Sequence, residues 1–322
     1  MLLGFHSKQL TERGTEVAMF EYALGAQRLL GHEARVFIPS NPGKVIPAVK
    51  ERFEEHFEVV VYDDPKEIAC DALVVMKRGW PGQVTQTIPE LNHSFREASS
   101  PHGHRFAVIS DWIAGTARHE LKLPRGRTVR VPKLRKPPVI PYILYMPPAA
   151  GDMRAELGIP EDAIVFGRHG GVGTFNVPFV FGAIREALAR RDDIWFVLIN
   201  VERFVESDRV IYLPLTVDRA DLRRFIDTCD YMLHAYTKGE TFGLAPLEFA
   251  LAGAPVLTWL DSEMKAHIDI LDDDLLLGYR TQDDVLRLLT TLPRREAPVA
   301  SDLGERFSSE RVMATFDEVF LN

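Results

Sequence analysis

One segment leaves this chain little freedom in how it folds: YMLHAYTKGETFGLAPLEFALAGAPVLT, residues 231–258. YMLHAY reads as a strand, and a turn containing Gly243 then leads into a helix. Gly253 ends that helix and Pro255 opens a second apolar strand. Short apolar strands alternate with amphipathic helices along the rest of the chain, which points to parallel α/β layers. A strand at 2–6 passes through the polar loop KQLTERGTE into a helix over 17–30, with Gly31 placed to cap it. Strands follow at ARVFIP, FEVVVY, DALVVMK and RFAVIS.

The stretch 133–148 holds five prolines: Pro137, Pro138, Pro141, Pro147 and Pro148. They favour extended backbone and suit a linker between domains. After it, DMRAELGIPEDAIVFGR reads as helix, turn and buried strand. A helix over 178–190, the strands IWFVLIN and RVIYLP and the helix DRADLRRFIDTCD come next, the last opened by Asp218 and Asp221. The closing segment 308–320 is amphipathic, with Val312, Phe316 and Phe320 at helical spacing. The expected architecture is therefore α/β, with two Rossmann-like doubly wound domains facing a cleft. The expected bounds are 1–145 for the first domain and 146–305 for the second. A helix at 306–322 would pack back on the first domain.

With 322 residues the chain is long enough for two such domains. A net charge of −8 argues against nucleic acid, which needs a basic footprint. The two cysteines, Cys70 and Cys229, read as reduced thiols of a cytoplasmic protein. No apolar run is long enough to span a bilayer, and MLLGFHSKQL is too short and polar for a signal peptide. Peripheral membrane contact stays open.

Four constellations carry chemistry. Glu240 and Glu248, eight positions apart, flank a glycine turn and a helix N-terminus. Backbone N–H groups there attract phosphate, and carboxylates accept hydrogen bonds from vicinal hydroxyls. Two solvated acids on an exposed helix would be the plain alternative. In FGRHGGVGTFN a strand ends at Arg168, and Gly170, Gly171 and Gly173 follow. Glycines let the backbone approach an anion, although the letters do not fit the dinucleotide fingerprint. Gly14 and Thr15 precede a helix and offer another anion or sugar contact. His93, in PELNHSFRE at a strand end, is either a ligand contact or structural. Asp272–Asp274 and the pair His102 and His104 read as polar loops, so no metal site is expected. The basic stretch 118–136, with eight Lys or Arg and one acid, reads as a solvated face or a dock for an anionic acceptor or membrane surface.

Together these pieces resemble the retaining, nucleotide-sugar-dependent glycosyltransferases of family 4, which have the two-domain GT-B fold. The resemblance rests on GETFGLAPLEFALAGAPVLT, which fits the family's E-x7-E motif. FGRHGG, RGTEVAMFEYA and PHGHRFAVISDW support it. It implies transfer of a hexose from a UDP- or GDP-sugar to a sugar, glycan or lipid-linked acceptor, with retention, without a metal and with no other cofactor. Glu240 would hold hydroxyls of the donor sugar and Glu248 the ribose. Arg168 would bind the diphosphate together with backbone N–H groups at Thr241, Phe242 and Gly243. His93 would stand near the sugar, Gly14 and Thr15 would line the cleft, and Gly170 and Gly171 would shape the phosphate loop. One departure stands out: the family's lysine shortly after the arginine is missing from 172–176, and Lys238 is the available substitute. A nucleotide-sugar-binding protein without turnover and a sugar-nucleotide epimerase are the competing readings.

Overall fold

The computed structural model describes residues 1–122, 128–132 and 136–322. The basic stretch 118–136 and the start of the proline-rich segment lie in part outside the described residues. The chain divides into two compact units, Met1–Ile143 with Glu305–Asn322, and Leu144–Gly304.

The first unit is built on β1 (Leu2–His6), β2 (Glu33–Pro39), β3 (Glu58–Tyr62), β4 (Ala72–Lys77), β5 (Glu90–Ser94) and β6 (Arg105–Val108). They form one sheet in the order β3-β2-β1-β4-β5-β6, parallel throughout. Helices α1 (Gly14–Arg28), α2 (Pro47–Glu54) and α3 (Asp111–Gly115) connect or flank the strands, and β7 (Arg118–Lys122) pairs antiparallel with β8 (Thr128–Pro132). The helix Ser309–Phe316 belongs to this unit: Phe316 meets Tyr22 of α1 at 5.7 Å, and Phe320 meets His93 at 5.9 Å.

Strand β5, ELNHS, carries none of the hydropathy of a buried strand, yet all five of its residues are buried. Each polar side chain has an internal partner instead. Glu90 accepts from the Thr85 N–H and pairs with Lys77, Asn92 donates to the His102 carbonyl, and the Ser94 hydroxyl donates to the Glu97 carbonyl. Burying polar groups is tolerable only on those terms.

The second unit repeats the plan. Strands β9 (Ile164–Arg168), β10 (Ile194–Ile199), β11 (Val210–Leu213), β12 (Tyr231–His234), β14 (Val256–Trp259) and β16 (Leu276–Tyr279) run parallel in the order β11-β10-β9-β12-β14-β16. A short parallel pair, β13 (Gly239–Glu240) with β15 (Met264–Lys265), lies outside that sheet. The helices are α4 (Pro178–Arg190), α5 (Arg219–Thr228), α6 (Leu244–Leu251), α7 (Ala266–Ile270) and α8 (Gln282–Thr291). The central strand β9 is buried at every position, and Phe166 stacks against Phe196 and Tyr231 at 5.5 Å each. A strand covered on both faces needs such a continuous apolar run.

The helix expected at DMRAEL is a run of turns. The segment is short, Gly158 adopts a positive φ of 66°, and the Arg154 side chain turns inward to Asp230 and the Ala163 carbonyl. That tie replaces helical continuation. The thiols of Cys70 and Cys229 are both free. In each sheet the strand order reverses beside the first strand, between β1 and β4 and between β9 and β12. Crevices that take ligands in open α/β sheets form at the carboxyl ends of strands at such reversals.

Candidate active site

The carboxyl ends of β9 and β12 deliver Arg168 and His234 to the reversal in the second unit. Arg168 is only 2% exposed. Its guanidinium donates to the carbonyls of Ile199 at 2.7 Å and Gly171 at 2.9 Å, and to the Thr174 hydroxyl. Burial pushes its pKa down to about 10, against the opposing charge of Glu240. Arg168 therefore holds the glycine loop in shape, and the loop backbone absorbs much of its donor capacity. Gly170 adopts a φ of 147°, and its carbonyl accepts from Arg168 at 3.4 Å and from Asn200 at 3.0 Å. Asn176 closes the loop by accepting from the Thr237 N–H at 2.9 Å.

Helix α6 begins at Gly243, whose φ of 97° lets the chain turn sharply out of β13. Its first turn has neither an acidic residue nor a side-chain cap. The open N–H groups and the helix dipole make that end attractive to an anion. Phe242 is buried, Thr241 is half-buried, and Lys238 projects as an exposed side chain.

The two glutamates of the motif live in different surroundings. Glu248 is 2% exposed, and Arg219 meets one of its oxygens at 2.7 Å while His169 meets the other at 3.2 Å. Burial by itself would raise its pKa, but Arg219 and His169 outweigh that and hold it below the usual carboxylate range. Neither partner stands out in the sequence. Arg219 opens α5 beside its Asp218 cap, and His169 simply follows Arg168; only the packing of α5 and α6 on β9 brings them to Glu248.

Glu240 is less enclosed, and burial raises its pKa against the opposing influence of His267 and the charge of Arg168. Behind it stands a row of groups that sequence reasoning missed. His234 Nε2 lies 3.5 Å from Glu240 Oε1, and its Nδ1 is 2.8 Å from the Thr258 hydroxyl. That hydroxyl also contacts His267 Nε2 at 3.0 Å. Both histidines stay neutral: burial and the Arg168 charge bring His234 to about 3, and burial and His234 bring His267 to about 3. A hydroxyl has one proton, so it donates to one ring and accepts from the other. The arrangement that turns an N–H toward Glu240 has Thr258 donating to His234 Nδ1 and His267 donating to Thr258.

His93 is the last residue but one of β5, is 0% exposed, and its Nε2 contacts the Ile140 carbonyl at 2.8 Å. The rings of Tyr22, Tyr142 and Phe320 enclose it, and burial lowers its pKa to about 4. Gly14 starts α1, and the Thr15 hydroxyl donates to Glu16 at 3.0 Å in the first unit.

No family model matches the chain, and no curated protein matches it. Solved structures do. Anabaena HepE, crystallised in complex with UDP and glucose, aligns with a TM-score of 0.68 over 99% of this chain and 98% of its own, at 14% identity. WaaG, a glycosyltransferase involved in lipopolysaccharide biosynthesis, aligns with a TM-score of 0.58 over 98% and 95% at 13% identity. Sucrose-phosphate synthase from Thermosynechococcus elongatus aligns with a TM-score of 0.57 over 100% and 96% at 15% identity. The class defined is an α/β protein with the two-domain GT-B architecture of these glycosyltransferases. At such identities the likeness is one of fold. Among the described residues, no helix is long and apolar enough to cross a membrane.

Proposed function

We propose that this protein is a glycosyltransferase that moves a hexose from a UDP- or GDP-sugar to a sugar, glycan or lipid-linked acceptor. The observation that carries the reading is the convergence at one strand-order reversal of Arg168, the glycine loop, Glu240 and the uncapped start of α6. A ligand with a diphosphate and a sugar matches that set. The diphosphate suits the loop and helix N–H groups, with Arg168 as nearby charge, and sugar hydroxyls suit Glu240. That HepE was solved with UDP and glucose supports the assignment.

Cleaving the bond to the anomeric carbon places negative charge on the departing diphosphate. Preorganised N–H groups and the Arg168 charge would stabilise it as it develops. Retention of configuration and independence of metal rest on the resemblance to family 4. Glu248, closed in by Arg219 and His169, supports the motif from inside, and a ribose contact there would require those partners to share it. The lysine missing from 172–176 and the engagement of Arg168 by carbonyls favour, as a second reading, donor binding without turnover.

Thermal unfolding in the presence of UDP-glucose, GDP-mannose and related donors tests the binding. A donor at about one hundred times its Kd should stabilise the native chain by about 2.7 kcal/mol. Replacing Glu240 by Gln should reduce transfer by at least about a hundredfold while the protein still unfolds cooperatively. If no nucleotide sugar raises the melting temperature, the proposal fails. Donor binding with neither transfer nor hydrolysis selects the second reading.

A further inference from the structure

The first unit has its own cavity, of about 470 Å³, at its own strand-order reversal. It opens past the ends of β1 and β4, between Lys8 and Gln9, the first turn of α1 and the loop that follows Lys77. Its lining carries three cations, Lys8, Lys77 and Arg78, and only one carboxylate, Glu16. In a chain with a net charge of −8, that local excess of positive charge is a departure from the rest of the molecule.

Two of the three charges are not spent on ion pairs among the described residues. Lys77 is matched by Glu90 at 3.1 Å, whereas the Lys8 ammonium and Arg78 guanidinium make no ion pair among the described residues. Glu16 is 4% exposed, and the hydroxyls of Thr11 and Thr15 donate to it at 3.0 Å each, so it forms a hydrogen-bonded floor beneath the rim. Trp80 stands at the edge with 60% of its surface exposed. Its indole N–H donates to Glu97 at 3.2 Å, which fixes the ring, and the Arg78 guanidinium lies 6.0 Å from the ring centroid. An exposed indole is costly to leave in water, and a sugar ring covers such a face with its C–H groups. Arginine beside it suits a planar or tetrahedral anion.

We infer that this cavity binds an anionic sugar, a hexose bearing a phosphate or carboxylate. The ring lies on Trp80 and the anion sits between Lys8 and Arg78. Binding is independent of the function proposed above; only the further assignment of this ligand as the glycosyl acceptor rests on that reading.

Calorimetry on the intact chain tests it with glucose 6-phosphate, glucuronate, glucose and inorganic phosphate. At least one of the two anionic sugars should bind at least about tenfold more tightly than glucose, and whichever binds identifies the anion. Arg78→Met and Lys8→Met should each weaken that binding about tenfold. Trp80→Ala should weaken the anionic sugar while leaving inorganic phosphate unchanged. Circular dichroism and UDP-glucose titration of each variant separate local loss from misfolding, since none of these residues belongs to the second unit. Equal affinity for glucose and both anionic sugars, or wild-type affinity in the Arg78→Met, Lys8→Met double variant, overturns the inference. If the native chain binds the anionic sugar but no nucleotide sugar, the transferase reading fails and the cavity assignment stands. The reverse result overturns the cavity assignment alone.

Discussion

Glu248 shows how a motif residue can be held by partners that no spacing reveals. Its two oxygens face Arg219 and His169 with 3% of the side chain exposed, so removing its charge takes the carboxylate away from a guanidinium at 17% exposure. Breaking a buried pair from one side costs about 3 kcal/mol or more. We predict that Glu248→Gln lowers the urea-unfolding free energy by about 3 kcal/mol. A change within experimental error of zero would mean the pairing contributes nothing. Its depressed pKa has a matching consequence, because stability from this group is present above the ordinary carboxylate pKa and is lost as pH falls through the lower folded value. Thr258 offers a different prediction. Thr258→Val keeps the shape but removes the hydroxyl that links His234 with His267, so Glu240 loses the group that fixes the His234 tautomer. Transfer should fall about tenfold in kcat, while donor affinity measured by calorimetry stays within about twofold. An unchanged kcat would show that the row behind Glu240 is packing only.

At the scale of elements, the site depends on one short strand pair. β13 and β15 lie outside the main sheet, and their contact places Glu240 at the mouth of α6. Gly239 makes that pairing feasible: with φ at 64°, an added Cβ would fall 1.9 Å from the Met264 carbonyl oxygen. Gly31, at the end of α1, has a similar φ of 67° but open space around it. The comparison separates conformational strain from steric collision. Gly31→Ala should cost about 1 kcal/mol, from backbone strain alone, whereas Gly239→Ala should cost at least about 3 kcal/mol and abolish transfer. Equal losses in chemical denaturation would refute the role given to the strand pair. β5 teaches the converse lesson. Its side chains look like those of a loop, and only Lys77, the backbone of the neighbouring loops and a ring of aromatics make burial of Glu90, Asn92 and His93 acceptable.

For the molecule as a whole, buried neutral histidines link stability to pH. His93 in the first unit stays unprotonated down to about 4, and His234 and His267 in the second down to about 3. In the unfolded chain each takes up a proton near pH 6.5. The folded pKa values are lowered, so the stabilisation is full above that unfolded value and is lost as pH falls below it. Each such histidine removes up to about 1.4 kcal/mol per pH unit in that window. We predict a steep fall in melting temperature between pH 6.5 and 5, less steep in His93→Gln; a flat profile would contradict the burial of these rings. The sequence alone determined the parallel α/β class, because apolar strands such as IVFGR and YMLH and the glycine-ended helices between them satisfy their backbones in no simpler way. It also exposed the turn and helix start around Glu240, since a glycine and two acids at fixed spacing are local features. What the tertiary structure decided was who meets whom: Arg219 and His169 on Glu248, the hydroxyl of Thr258 between two imidazoles, and His93 sealed inside the first unit. The physical reason is that a polar side chain's role is set by its partners and its access to water, and both come from elements far apart in the chain.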